Sequence, residues 1–252
     1  MNTDKAWEKW GHQDPYYGVL SDPKFRNHNL TKELKEEFFA AGANDIQQVF
    51  QIIEKFICPN FTPKTALDFG CGTGRLLIPL AKLVPNVVGI DISDAMLEEA
   101  KKNCQEKNIK NATFFKSDDK LTALNSYKFD LIHTVIVLQH IPIVRVRIIF
   151  EQFLNLLNAD GIGAIHLTYA KSQFQESFGL MPNTLISKIN SNFTKFRKTV
   201  KHVLLKRDPE MQMNTHNLNH LFFLMHKSGV KNVYTEFTDH GGNLGVFLYF
   251  KK

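Results

Sequence analysis

The chain has 252 residues, 43% hydrophobic and 12% aromatic, which suits one large domain with additions and excludes a disordered chain. Its formal charge of +6 is unevenly spread: residues 1–57 carry seven Lys+Arg against nine Asp+Glu, whereas residues 170–252 carry twelve against five. The three cysteines, Cys58, Cys71 and Cys104, show no paired spacing, which argues against a disulfide framework or a zinc site and for a reducing compartment.

The N-terminal run AWEKWGHQDPYYGVL lacks the basic and then apolar pattern of a secretory signal, and its aromatic density suggests a segment that packs onto something. A helix is predicted from about Thr31, a plausible N-cap, to Ile57, with Ile46, Val49, Phe50, Ile53 and Phe56 at helical spacing. From Thr65 strand and helix alternate. TALDF is a first strand, residues 73–84 a helix, NVVGIDI a second strand, and Ser93 caps a helix to about Lys107. ATFFKS and FDLIHTVIV follow as third and fourth strands, residues 142–157 as a helix closed by Asn158-Ala159-Asp160-Gly161, and GIGAIHLTY as a fifth strand. Such near-continuous apolar strands between helices imply a parallel sheet covered on both faces. Residues 170–214 break the rhythm, a helix is expected near Thr215–Ser228, and VKNVYTEFTDH with GVFLYF reads as an antiparallel pair. The expected organisation is an N-terminal arm and helix over 1–60, a core over 61–169, an inserted basic segment over 170–214, and a C-terminal helix and strand pair over 215–252. No stretch approaches the ~18 uncharged apolar residues of a membrane span, so a cytoplasmic location is expected.

Gly70, Gly72 and Gly74 lie where the first strand turns toward a helix, at the carboxyl ends of the strands where ligands of doubly wound sheets bind. Glycines there let a ligand press against bare backbone, although a tight structural turn would show the same pattern. Asp91 closes the second strand and can take both hydroxyls of a ribose; Asp118 follows the third; Asp68 precedes the first glycine by two residues. Three acids at neighbouring strand ends suit a ligand bearing a sulfonium and an ammonium, and suit a pyrophosphate poorly. The GxGxxG of dinucleotide-binding dehydrogenases is not present.

Over about Thr65–Tyr169 the chain resembles the class I, Rossmann-like S-adenosylmethionine-dependent methyltransferases. LDFGCGTGR looks like that family's first motif, GIDIS its ribose-binding acid, KSDD its adenine contact, and LLNADGIGAIHL its later turn and strand. The resemblance implies a doubly wound α/β sheet of seven strands, mostly parallel with an antiparallel last strand, here with an N-terminal helical extension and an inserted helical lid. It implies S-adenosyl-L-methionine as cofactor and S-adenosyl-L-homocysteine as product. Carried over, Gly70, Cys71, Gly72 and Gly74 form the glycine loop along the methionine part, with Asp68 near its amine. Asp91 holds the ribose, Ile92 and Met96 cover the adenine, and Asp118 and Asp119 contact the base. Thr134 and Val135 present backbone to the methionine end. Met96 reads equally as helix core, and Asp119 and Thr134 as capping or solvated residues.

The expected reaction is an in-line methyl transfer in which the protein aligns the acceptor and excludes water. An oxygen acceptor needs a base, for which His140 in LQHIP is the first candidate, or else a substrate-binding residue that lines the pocket, and His240 in TDHGG the second; His166, mid-strand, reads as structural. The fourth strand ends Thr134-Val135-Ile136 and not in the Asn-Pro-Pro-aromatic box of relatives that methylate base amines or glutamine amides. That leaves oxygen, an ordinary amine or carbon as the acceptor atom; a small molecule methylated at oxygen is the expected acceptor, with a sugar or a lipid-linked or anionic metabolite as examples. Nucleic-acid or protein methylation and a non-catalytic cofactor-binding subunit are the alternatives, and no metal is expected. Tyr16, Tyr17 and Phe39 are candidates to close over the acceptor, or simply arm residues packed on the core. Residues 184–206 form an amphipathic pattern that reads as a helix with its apolar face on the protein and a solvated basic face, or as one that meets an anionic membrane, an acidic substrate, a lid or a dimer partner.

Overall fold

The computed structural model describes residues 3–180 and 208–252. The predicted basic segment 184–206 lies outside the described residues. The chain begins with α1 (Thr3–Gln13) and α2 (Pro15–Val19), passes a short 3₁₀ turn at Pro23–Phe25, and enters α3 (Lys32–Phe56). Thr31 starts α3 as expected, its hydroxyl accepting the Leu34 N–H at 3.3 Å. The alternating region follows as β1 (Thr65–Phe69), α4 (Leu77–Leu83), β2 (Asn86–Asp91), α5 (Asp94–Glu106), β3 (Ala112–Lys116), β4 (Phe129–Thr134), α6 (Ile143–Leu156) and β5 (Leu157–Lys171). The described chain closes with α7 (Leu218–Lys227), β6 (Val233–Asp239) and β7 (Asn243–Lys251).

The strands form one seven-stranded sheet in the order β3-β2-β1-β4-β5-β7-β6. β1 to β5 run parallel, and β7 is antiparallel to both of its neighbours. Alternation along the strands divides the core. Leu67, Phe69, Ile132, Ile165 and Phe250 pack with Phe150 and Phe153 of α6 and with Leu221 and Met225 of α7. Ala66, Leu131, Ala164 and Tyr249 face the other way, onto Phe38, Ile46 and Ile53 of α3 and Leu77 and Leu80 of α4. A sheet with both faces buried needs the nearly continuous apolar strands seen in the sequence.

Several element boundaries differ from expectation; β5 begins at Leu157, so the expected turn at residues 158–161 is taken into the strand with Asp160 at φ +66°. The helix predicted over 73–84 starts only at Leu77, because Gly72 (φ +50°) and Gly74 (φ +86°) hold the preceding residues in a left-handed turn. The fourth strand stops at Thr134 and not at Val137: Ile136 adopts φ +57° and a 3₁₀ turn follows at Leu138–His140. The N-terminal arm closes down on α5. A Cβ on Gly11 would lie 2.6 Å from Ser93 Oγ, and the Arg26 guanidinium sits 3.5 Å over the Tyr17 ring. Among the described residues no helix is long and apolar enough to cross a membrane.

Candidate active site

The glycine loop is built by backbone geometry first. Gly70 (φ +74°) leads the chain out of β1, and the N–H groups of Gly70 and Cys71 both donate to the Ile90 carbonyl at 2.8 and 3.0 Å. A Cβ on Gly70 would meet Val137 Cγ2 at 2.5 Å, and one on Gly72 would meet Val19 Cγ2 at 2.8 Å. Backbone is therefore exposed where two walls converge. Asp91, ending the neighbouring β2, ties the loop: one carboxylate oxygen accepts the Gly72 N–H and the other the Ser93 N–H, each at 2.9 Å. Loss of solvation pushes the Asp91 carboxyl up to about 6 despite these bonds.

Asp68 lies deeper, 2% exposed. His133 of β4 donates its Nδ1–H to Asp68 Oδ1 at 3.2 Å, while Asp68 Oδ2 is buried with no hydrogen-bond partner. A buried carboxylate oxygen left unpaired costs on the order of 1–3 kcal/mol or more. An ammonium group beside it would remove that cost.

Both features open on one cavity of about 540 Å³, within the ~300–1,000 Å³ range of small-molecule sites. Strand order sets its two ends. Asp91, Ile92, Met96, Ser117 and Asp119 line the side toward β2 and β3; residues 135–137 and 139–141, Met211, Met213, His240 and Asn243 line the side toward β4 and β5. Arg145 of α6 closes the first side. Its Nε contacts both Asp119 carboxylate oxygens at 2.7 and 2.9 Å, and its Nη1 reaches Asp4 of α1 at 2.7 Å.

At the other end His140 is buried, its ring 5.0 Å from that of Trp7. Its Nδ1–H donates to the Gln212 carbonyl at 2.6 Å, which leaves Nε2 without a protein partner among the described residues. Burial holds its pKa below the ordinary value of 6.5, the Gln212 contact offsetting part of the shift, so the ring is neutral at neutral pH.

Of the residues singled out from sequence, Asp68, Gly70, Cys71, Gly72, Asp91, Ile92, Met96, Asp119, Val135, His140 and His240 line this cavity together. Others do not. Gly74 sits behind the loop, its Cβ direction 3.6 Å from Ala100. Thr134 is fully buried below the cavity wall. The Asp118 carboxylate turns back to accept the N–H groups of Lys120 (2.9 Å) and Thr122 (3.1 Å), and borders a shallower neighbouring hollow. The three aromatics expected either to cover the acceptor or to pack on the core do not line this cavity. Tyr16 is 3% exposed and donates to Glu99 (2.7 Å) and Asn103 (2.9 Å), Tyr17 lies under Arg26, and Phe39 packs edge-on to Phe38. His166 holds both nitrogens occupied, Nδ1 accepting from Ile136 N–H (3.4 Å) and Nε2 donating to Thr238 (2.9 Å). Sequence reading gave no role to His133, Trp7, Arg145, Gln139, Met211 and Met213. Only His133 carried a signal, a polar residue inside an apolar strand one position before its end.

Residues 66–161 match a family model described as a methyltransferase domain. Curated relatives include aklanonic acid methyltransferase DauC of Streptomyces sp. (strain C5), 36% identical over 74 residues covering 28% of this chain and 34% of that protein. Another is the ubiquinone biosynthesis O-methyltransferase of Coxiella burnetii, 32% identical over 79 residues, 31% of this chain and 33% of that protein. The chain thus spans about a third of the length of these relatives. Among solved structures, the magnesium protoporphyrin IX methyltransferase ChlM from Synechocystis PCC 6803 with bound SAH aligns at TM-score 0.62 and 20% identity, covering 99% of this chain and 97% of that one. The N-methyltransferase NodS from Bradyrhizobium japonicum aligns at TM-score 0.59 and 13% identity, over 100% and 98%. At such identities the likeness is one of fold.

Proposed function

We propose that the chain, whose residues 66–161 match a methyltransferase-domain model, is a class I, Rossmann-like enzyme that transfers the methyl group of S-adenosylmethionine to an oxygen of a small-molecule acceptor. The observation that carries this reading is the unpartnered, buried Asp68 carboxylate oxygen in a cavity whose floor is bare glycine backbone. That oxygen fits the cofactor's ammonium, and Asp91, half-buried at the end of β2, fits its ribose hydroxyls. Ile92 and Met96 offer apolar cover beside them for the base.

The cofactor supplies a methyl group on a sulfonium: as the new oxygen–carbon bond forms, the sulfur–carbon bond breaks and its electron pair stays on sulfur, giving S-adenosylhomocysteine. The chain's own work is to orient the acceptor, exclude water and receive the acceptor's proton. His140 Nε2 suits the last role, since the Gln212 carbonyl fixes the proton on Nδ1 and burial keeps the ring uncharged. The names of the two curated relatives, one an O-methyltransferase, support transfer to a small organic molecule.

Titration calorimetry with S-adenosylhomocysteine tests the cofactor assignment. Saturable binding is expected, weakened about tenfold or more by Asp91→Ala, which leaves the ribose diol unpaired. No heat with the intact protein would overturn it.

A further inference from the structure

Residues 208–217 cross the cavity as an extended strap held by hydrogen bonds to distant parts of the chain. The Asn214 N–H donates to the Gln139 carbonyl at 2.7 Å, and its side-chain amide reaches the carbonyls of Gln139 and Ile141, each at 3.1 Å. The His216 N–H donates to the Thr168 carbonyl at 2.9 Å, and its Nε2–H to that of Leu138 at 3.0 Å. At the other end Arg26 pairs with Asp208. Between these ties Gln212 turns its carbonyl to His140, and the residues on either side of it, Met211 and Met213, line the cavity. Two thioethers therefore flank the group that anchors the candidate base.

Resting on the methyl-transfer reading above, we propose that this strap selects a flat aromatic acceptor bearing a phenolic hydroxyl. Met211, Met213 and Trp7 supply polarizable and apolar surface on the side of His140. One hydroxyl against His140 Nε2 is all that such a ring must satisfy. Gln139 Oε1, buried without a partner, can accept from a second. A sugar would bring several hydroxyls to a wall whose polar side chains are Gln139, His140, His240 and Asn243, each hydroxyl left unpaired costing on the order of 1–3 kcal/mol. A phosphate-bearing acceptor would need a free cation, and of the two arginines that line the cavity Arg145 is engaged with Asp4 and Asp119, while Arg75 holds Asp45 through Nη1 at 2.7 Å and keeps only its buried Nε without a partner.

The test uses the full chain and labelled S-adenosylmethionine, with β-naphthol, methyl glucoside and glucose phosphate as competing acceptors. The label is expected on the naphthol. A Met211→Ser, Met213→Ser variant should raise KM for naphthol about tenfold or more while its affinity for S-adenosylhomocysteine stays unchanged. Met211→Leu with Met213→Leu should restore it. Cofactor binding by the variants reports that they are folded, and the acceptor ranking of the unmodified chain stands apart from any variant. Preference for the glucoside or the phosphate, no methylation of naphthol, or an unmoved KM in the serine variant overturns the strap's role and leaves the cofactor assignment standing. Failure of the unmodified chain to bind S-adenosylhomocysteine sinks both readings.

Discussion

His140 is held by one short bond and one ring contact, which makes its chemistry easy to isolate. With Nδ1 committed to Gln212, replacing the imidazole by alanine should lower turnover of an oxygen acceptor by ~10²–10⁴-fold and leave cofactor affinity near that of the unaltered chain. The pH profile adds a second reading. A histidine whose pKa lies below 6.5 is already the free base at neutrality, so kcat should be flat around pH 7 and fall only as acid protonates Nε2. A rate that instead climbs steeply above neutrality would assign proton removal to another group. Ile136 shows what the same wall costs: a β-branched residue at φ +57° carries on the order of 1–3 kcal/mol of strain. Its N–H is turned to His166, and that turn sends Val137 toward the glycine loop.

Among the elements, the contact between α3 and the start of α4 is tightest at Gly42. A Cβ there would lie 2.4 Å from the Arg75 carbonyl oxygen and 2.9 Å from its Cγ. Alanine would gain up to ~1 kcal/mol of helix propensity. The clash is with backbone, however, and overpacking costs ~1–3 kcal/mol, so Gly42→Ala should be net destabilising, seen as a lower urea midpoint at unchanged m. The elements themselves were legible from sequence because each rests on a periodicity: β1, β3 and α3 match their predicted spans within a residue or so. The helix after β1 and the end of β4 were misjudged where single positive φ values outweigh apolar pattern. Asp68, Asp91 and the glycine loop were readable because strand ends of a parallel sheet converge. The walls around His140 were not, because they come from segments far apart in sequence. Asn214 is fixed by Gln139 and Ile141, and Trp7 meets His140. Aromatic density named the N-terminal arm correctly but not its facing: Tyr16 and Phe39 turned to the core and Trp7 to the cavity.

At the scale of the whole molecule the cofactor crevice gathers residues from α1, β1, β2, α5, α6 and the loops after β3 and β4, so ligand binding and global stability are linked. At a concentration of S-adenosylhomocysteine about 100 times Kd, the folded state should gain ~2.7 kcal/mol. For a chain of this size that is a rise in melting temperature of roughly 5–10 °C, readable in a thermal shift assay. An unmoved melting temperature under saturating ligand would contradict binding to the folded crevice. The order β5-β7-β6 has a further consequence. Ile162 pairs with Lys251 and Lys171 with Asn243, so β5 gains its second neighbour only when a segment more than seventy positions downstream arrives. Until then a long apolar strand presents an open edge, and edges of that kind recruit other chains. Refolding from denaturant should therefore be slow and concentration-limited, governed by that late docking more than by the early α/β half, whose partners lie close along the chain.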